Sequence, residues 1–407
     1  MLLKMAIRNI LRNKRRSFVA AAAISIGLTA LIFVDGLMEG MTVNMVRAAT
    51  STFMGEAQIH KEGFTDTMEV EKVITDHETL LKELENEPEI KSFAPRVKTL
   101  GMVTSAANVQ SLLLVGIDPQ KEKELSKMDE AIIEGEYLSD INERGVVIGS
   151  RLAEILEVEV GDRLVITVAQ QNTGEMSQEM MRVKGIFKLG MREMDRSIAL
   201  IPIKRASAML GLNNGIHEIA VNLKKHKNSW INDNPLWEKY SKNGNLFRNW
   251  VKLLPEMEAM VSMSGFSKYI IGIVLFLLVA GIIINTLFMS IYERMFEFGV
   301  MRAIGVKPLK LGSLIVLESG VLAIFATFFG VVTSLILNGI LLKTGIDYTG
   351  TEFVSVSITE LIYPVISVQQ YTVFPLALII FTMITGFYPA IHAARITPAN
   401  AMKKGTK

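Results

Sequence analysis

The chain contains no cysteine. That excludes thiol catalysis, thiolate metal sites and disulfide or redox chemistry. It does not identify a compartment, because a domain of ~200 residues buries a sufficient core without disulfide staples. Histidine is nearly as scarce: His60, His77, His217, His226 and His392 are scattered, and His217-Glu218 lacks the second histidine of H-E-x-x-H. The dipeptide Gly-Lys is absent, and with it the phosphate-cradling loop of a nucleotide site. There is no G-x-S-x-G elbow. The carboxylates that remain read as solvated faces. These absences argue against an enzyme, and the expectation is no catalytic residue, no metal and no cofactor in the chain itself.

What is present is apolar sequence in four blocks, residues 18–34, 269–291, 311–342 and 371–391. An apolar run of ~18 or more residues crosses a hydrocarbon layer as a helix. A helix is required because lipid offers backbone N–H and C=O groups no other partner. The expected fold is therefore a polytopic α-helical membrane protein with four transmembrane helices in a one-plus-three arrangement. A large mixed α/β extracytoplasmic domain is inserted after the first helix.

Charge sets the orientation. Lys4, Arg8, Arg12, Lys14, Arg15 and Arg16 precede the first span; Arg395, Lys403, Lys404 and Lys407 follow the last, with no acid in either group. Positive flanks stay in the cytoplasm. Both termini are expected there, and the long insert outside. Acidic residues outnumber basic ones in the insert, so the net charge of +2 hides two opposite halves. No basic face suggests nucleic acid. A cleaved signal peptide is the rival reading of the N-terminus, but the run of about 17 apolar residues exceeds a usual h-region and no A-x-A site follows.

The expected divisions are an amphipathic helix over 1–16, spans at 17–37, 269–291, 311–342 and 371–391, and an outer domain with helical stalks over 38–265. A coupling segment lies at 292–310, an outer loop at 343–370 and a cytoplasmic tail at 392–407. Met38, Met41 and Met45 fall on one helical stripe, either core or a soft surface for a lipid-like ligand. Gly36-x-x-x-Gly40 allows close approach of another helix. Thr75 or Asp76 is expected to cap a helix that Pro88 ends. Strands are expected over 97–105, 111–117, 182–187, 198–203 and 217–223, with strand, helix, turn and strand across 145–168. Glu318 is expected at headgroup level, and Asp35 at the outer boundary.

The loop between spans two and three, residues 292–305, mixes charge with Phe296, Phe298 and Met301. Apolar side chains rimmed by charge suggest docking on a partner protein; the alternative is an interfacial helix under the headgroups. The pattern Glu293-Arg294-x-x-Glu297-Phe298-Gly299-x-x-Arg302-Ala303-Ile304-Gly305 resembles the coupling helix of the MacB/FtsX-type ABC transporter permeases. Gly386-Phe387-Tyr388-Pro389-Ala390, continuing to Ala393-Ala394-Arg395 and Pro398, is similar to the ending of that superfamily. The opening with Ala6, Arg8-Asn9, Arg12-Asn13 and Arg16 is similar to its start. Gly116-Ile117-Asp118-Pro119, Val147-Ile148-Gly149-Ser150-x-Leu152-Ala153 and Gly161-Asp162 resemble the lipoprotein-releasing LolC/LolE branch.

The resemblance implies a dimer of permeases, like or unlike, with a separate cytoplasmic ATPase dimer that holds ATP and magnesium. Glu293, Arg294, Phe296, Glu297, Phe298, Gly299, Arg302 and Gly305 would couple to it, with Phe296 and Phe298 filling an apolar cleft and the charges pairing at the rim. Lipoproteins or lipid-like substrates would be extracted at the outer face of the inner membrane, past Met38, Met41 and Met45. A periplasmic carrier or adaptor is a possible partner. The permeases that recruit a carrier have a proline-containing hook where this chain has a proline-free hairpin over 169–181. Export of amphipathic peptides or drugs, and signalling to a cell-wall hydrolase, are the alternatives.

Overall fold

A computed structural model describes residues 2–12, 14–171, 173–347, 352–353, 356–357 and 361–395. Asn13, Pro398, Lys403, Lys404 and Lys407, which carry part of the terminal motifs and charge, lie outside them, as does most of 348–360 in the expected outer loop. The chain divides into two compact units: residues 1–42, 261–347 and 361–407 form one, and 43–260 with 348–360 the other.

The first unit is a helix bundle. Leu2–Arg12 is an N-terminal helix, and the first long helix, Lys14–Ala49, starts directly after it. The second, third and fourth are Pro255–Glu293, Pro308–Thr344 and Val368–Ala394. Among the described residues these are the four helices long and apolar enough to cross a membrane. The first two extend well beyond their apolar runs. Their packed seam includes Ala20, Ile24, Leu28 and Ile32 of the first helix, Ile283 and Leu287 of the second, and Ile315 and Leu322 of the third. The outward faces stay apolar, as lipid requires: Phe18, Ile26, Ile273, Leu277 and Phe328 are exposed.

Gly36 and Gly40 do permit a close approach, but not by a helix. The extended segment before the fourth helix lies there: Val365 N–H donates to Gly36 O at 2.9 Å. A Cβ on Gly40 would sit 2.1 Å from Tyr363 O.

The second unit is built on ten strands: β1 (Ala57–Lys61), β2 (Ile90–Thr104), β3 (Val109–Ile117), β4 (Ile132–Gly135), β5 (Gly145–Gly149), β6 (Arg163–Ala169), β7 (Met176–Phe187), β8 (Ile198–Pro202), β9 (Glu218–Leu223) and β10 (Asn245–Asn249). The order is β10-β1-β9-β2-β3-β8-β5-β7-β4, and β6 bridges β2 and β7. Six strands, β2-β3-β8-β5-β7-β6, thus close into a ring around Val103, Leu114, Ile148, Leu164, Ile166 and Ile201. The length of β2 makes this possible: Ile90–Arg96 pairs with β9, and Gly101–Thr104 pairs with β6. The expected strands lie within or close to these bounds.

The expected cap of the helix His77–Glu85 is absent. Asp76 has φ +53° and makes no capping bond; its carboxylate accepts from Asn243 at 3.2 Å, while Thr75 Oγ1 accepts from Lys61 Nζ at 2.7 Å.

Candidate functional site

The segment between the second and third long helices forms a short helix, Met295–Ala303. Its end is set by Gly305, whose φ of +92° is left-handed. Gly305 N–H donates to Arg302 O and Val306 N–H to Met301 O, the paired bonds of a Schellman termination, which favours glycine at that place. Pro308 then opens the third helix, where its missing N–H costs nothing.

The short helix has two faces. Phe298 is buried, packed in the bundle with Leu287, Ile291, Leu311 and Ala390. Phe296, Val300 and Ile304, spaced i, i+4 and i+8, are 54%, 40% and 76% exposed. This corrects the expected roles of Phe298 and Arg294. Phe298 is part of the chain's own core and cannot anchor a partner. Arg294 is buried, stacks over the Phe298 ring at 4.9 Å and donates to Glu318 Oε1 at 2.8 Å. It is not a rim charge.

Glu318 is likewise partnered within the chain. It is buried in the bundle and accepts from Asn9 Nδ2 at 2.6 Å as well. Glu297 accepts from Arg294 Nε at 3.1 Å and from Arg12 at 2.9 Å, and Glu293 pairs with Arg16. Gly299 is buried, and Arg302 donates to Val306 O at 3.2 Å. Val300, Ile304, Asn9, Arg12 and Arg16 were not among the expected site residues. The four-residue spacing of Phe296, Val300 and Ile304 is the signal that would have found the outer face.

Toward the other end of the bundle, a cavity of about 470 Å³ lies between the first and second helices, lined by Leu31, Val34, Gly265, Tyr269, Gly272 and Phe276. Lys268 stands at its edge, 2.6 Å from Glu39 and 3.6 Å from Asp35, and Asp35 accepts from Gln370 at 2.7 Å. Asp35 is therefore partnered within the chain. Met38, Met41 and Met45 are half-buried and none of them lines the cavity.

In the sheet unit, His60 of β1, Glu218 of β9 and Arg96 of β2 are directly opposite one another across three strands. Arg96 is fully buried and donates to both oxygens of Glu122, to Glu218 at 2.8 Å and to Phe53 O. Burial works against its charge, but Glu122 and Glu218 outweigh that and hold the guanidinium above its usual range. Burial also works to raise the Glu218 carboxyl, yet Lys98, His60 and Arg96 hold it well below the usual carboxylate range. Phe53 belongs to a π-helical turn, Thr50–Met54, so this cluster holds that turn against the sheet of the same unit.

Strands β2, β3, β6 and β7 carry an uncovered face with apolar side chains. Thr104 of β2 pairs with Val109 and Val165, and Val165 with Met180. Leu100, Met102, Val109, Met176 and Met180 are all exposed there. The hairpin over 169–181 supplies two of them; its Asn172 lies outside the described residues.

Residues 17–229 match the family described as MacB-like periplasmic core domain, and residues 269–398 match the FtsX-like permease C-terminal family. The chain belongs to the MacB/FtsX-type ABC transporter permeases. This permease is 23% identical over 405 residues to "Lipoprotein-releasing system transmembrane protein LolC" of Neisseria meningitidis, covering 96% of its own length and 95% of that protein. It is 23% identical over 404 residues to "Lipoprotein-releasing system transmembrane protein LolE" of Haemophilus influenzae, covering 94% and 93%. Among solved structures it is similar to the periplasmic region of MacB from Actinobacillus actinomycetemcomitans, at 16% identity and a TM-score of 0.37, covering 54% of this permease and 98% of that chain. Membership implies an ATPase partner and a membrane setting for the permease.

Proposed function

We propose that this permease transmits work from a separate ATPase, which holds ATP and magnesium, to lipoproteins or lipid-like substrates at the outer face of the bacterial inner membrane. Both termini are cytoplasmic in this reading, the sheet unit is periplasmic, and a second permease copy or homologue completes the complex. The observation that carries it is the outward face of Phe296, Val300 and Ile304 on a helix whose inner face is fixed in the bundle. Apolar anchors in a partner's pocket supply most of an interface's energy, while rim charges such as Glu293 and Glu297 tune it.

The lipid part of the reading is supported by the names of the full-length relatives and by the cavity between the first two long helices. Leaving an acyl chain in water costs ~0.8 kcal/mol per CH₂, so release needs apolar surface along the way. The cavity offers some. The uncovered face with Leu100, Met102 and Met180 offers more, and gives the proline-free hairpin a role without a hook.

The test is reconstitution of the permease with its ATPase in proteoliposomes, followed by release of a triacylated lipoprotein. ATP-dependent release is expected. Hydrolysis with no release of lipoprotein from the parent complex would reject the lipoprotein reading in favour of export or signalling.

A further inference from the structure

The N-terminal helix is more closely bound to the bundle than a basic anchor requires. Its Ala6 is buried with Leu314 and Val321 of the third long helix, and Leu2, Met5 and Ile10 pack around them. Its polar side chains do not all face outward. Asn9 and Arg294 donate to the same oxygen of Glu318, at 2.6 and 2.8 Å. Arg12 and Arg294 donate to the same carboxylate of Glu297, at 2.9 and 3.1 Å. Each acid therefore joins the N-terminal helix to Arg294, and Arg294 stacks on Phe298 of the short helix.

The two halves of this ladder differ in weight. Arg12 and Glu297 are 49% and 45% exposed, and a pair open to water contributes little. Arg294 and Glu318 are 6% and 7% exposed. A buried charge that loses a partner is strongly destabilised, so this half constrains geometry. Asn9 completes it from the N-terminal helix.

We propose that the N-terminal helix is a positioning element for the docking helix. Asn9, through Glu318 and Arg294, fixes the angle at which Phe296, Val300 and Ile304 are presented. The inference rests on the docking reading for its use, and on the ladder alone for its existence. Asn9 and Glu318 are positioning residues that touch no partner themselves.

The experiment uses the full chain in detergent and in complex with its ATPase. Asn9→Asp places a second carboxylate against Glu318, and like charges at that distance repel. The double variant Asn9→Asp with Glu318→Gln exchanges carboxylate and amide, restoring one charge and one hydrogen bond. Amide hydrogen exchange over residues 296–303 is expected to accelerate at least about tenfold in the single variant and to return to within about threefold of the parent in the double one, with exchange in β9 unchanged in both. ATPase association should follow the same order: weakened in the single variant, restored in the double. Unchanged exchange over 296–303 in Asn9→Asp, or no restoration in the double variant, would overturn the proposal. So would accelerated exchange with undiminished ATPase association. The docking reading fails separately, if Phe296→Ala with Ile304→Ala leaves ATPase association intact.

Discussion

The permease contains two charge clusters of similar composition and opposite design. In the sheet unit, Arg96, Lys98, Glu122 and Glu218 are sealed in, held in register by β1, β9 and β2, and backed by Phe53. These two basic and two acidic groups pair with one another. At the end of the bundle, Arg12, Glu297, Arg294, Glu318 and Asn9 form a ladder that is buried at one end and open at the other. Its members lie on, or at the start of, three separate helices, Leu2–Arg12, Met295–Ala303 and Pro308–Thr344. The first cluster is a rivet and the second a linkage. Side chains of one chemistry give rigidity when one sheet supplies most of the partners, and adjustable geometry when separate helices supply them.

That contrast breaks if the sealed cluster proves dispensable. Arg96→Ala leaves Glu122 buried without its ion pair, removes one of the cations on Glu218, and is expected to cost about 3–5 kcal/mol. The loss should show as earlier denaturant unfolding of the sheet unit, followed through the buried Trp237 and Trp250. An unchanged midpoint would remove the rivet from the account.

Phe298→Ala sharpens it within one helix. Phe298 is 1% exposed, and emptying such a site costs about 3–5 kcal/mol of bundle stability. Phe296→Ala, on the other face of the same helix, should leave the melting of the purified permease nearly unmoved. Equal losses from both would mean that the helix has no free face.

The sheet unit should also weaken with acid, and His217 is the reason. Burial lowers its pKa below 6.5. Its Nδ1 accepts from Lys98 N–H at 3.1 Å and its Nε2–H donates to Val70 O at 2.9 Å, so the folded site has no room for a second ring proton. The unfolded chain takes up that proton first, so stability falls as pH drops below about 6.5. Glu218 adds a further loss only below 4.5, because its folded pKa is depressed. His217→Gln can keep both hydrogen bonds and should flatten the upper part of the profile. A parent melting temperature constant from pH 7 to 5 would contradict this.

The smallest effect is expected at the open end of the ladder. Arg12→Ala should change stability by less than about 1 kcal/mol, because both partners are half-exposed. A loss as large as that of Arg96→Ala would erase the distinction between the clusters.

The architecture was legible in the sequence because span length and apolar content are local properties, and the segments over 145–168 because turn residues punctuate them. What was not legible depended on side-chain direction at a distance. Phe296 and Phe298 are two residues apart, which on a helix sends them to opposite faces; treating both as anchors ignored that geometry. The partners of Glu318 were hidden, because Asn9 and Arg294 lie far from it in sequence. The row of His60, Arg96 and Glu218 was hidden for the same reason, since only strand pairing brings them together. In the 169–181 hairpin exposed Met176, Gln178 and Met180 alternate with half-buried Ser177 and Glu179, a two-residue period that the sequence carries without a sign for which face is covered.

The central claim is that ATP-driven force enters through the outward face of the short helix. Its most direct test is the affinity of the purified ATPase for the permease in detergent, parent against Phe296→Ala with Ile304→Ala, with bundle melting as the control. The account predicts about 2–4 kcal/mol weaker association at unchanged melting temperature, as expected when apolar anchors are removed from an interface. Parental affinity in the double variant would contradict it.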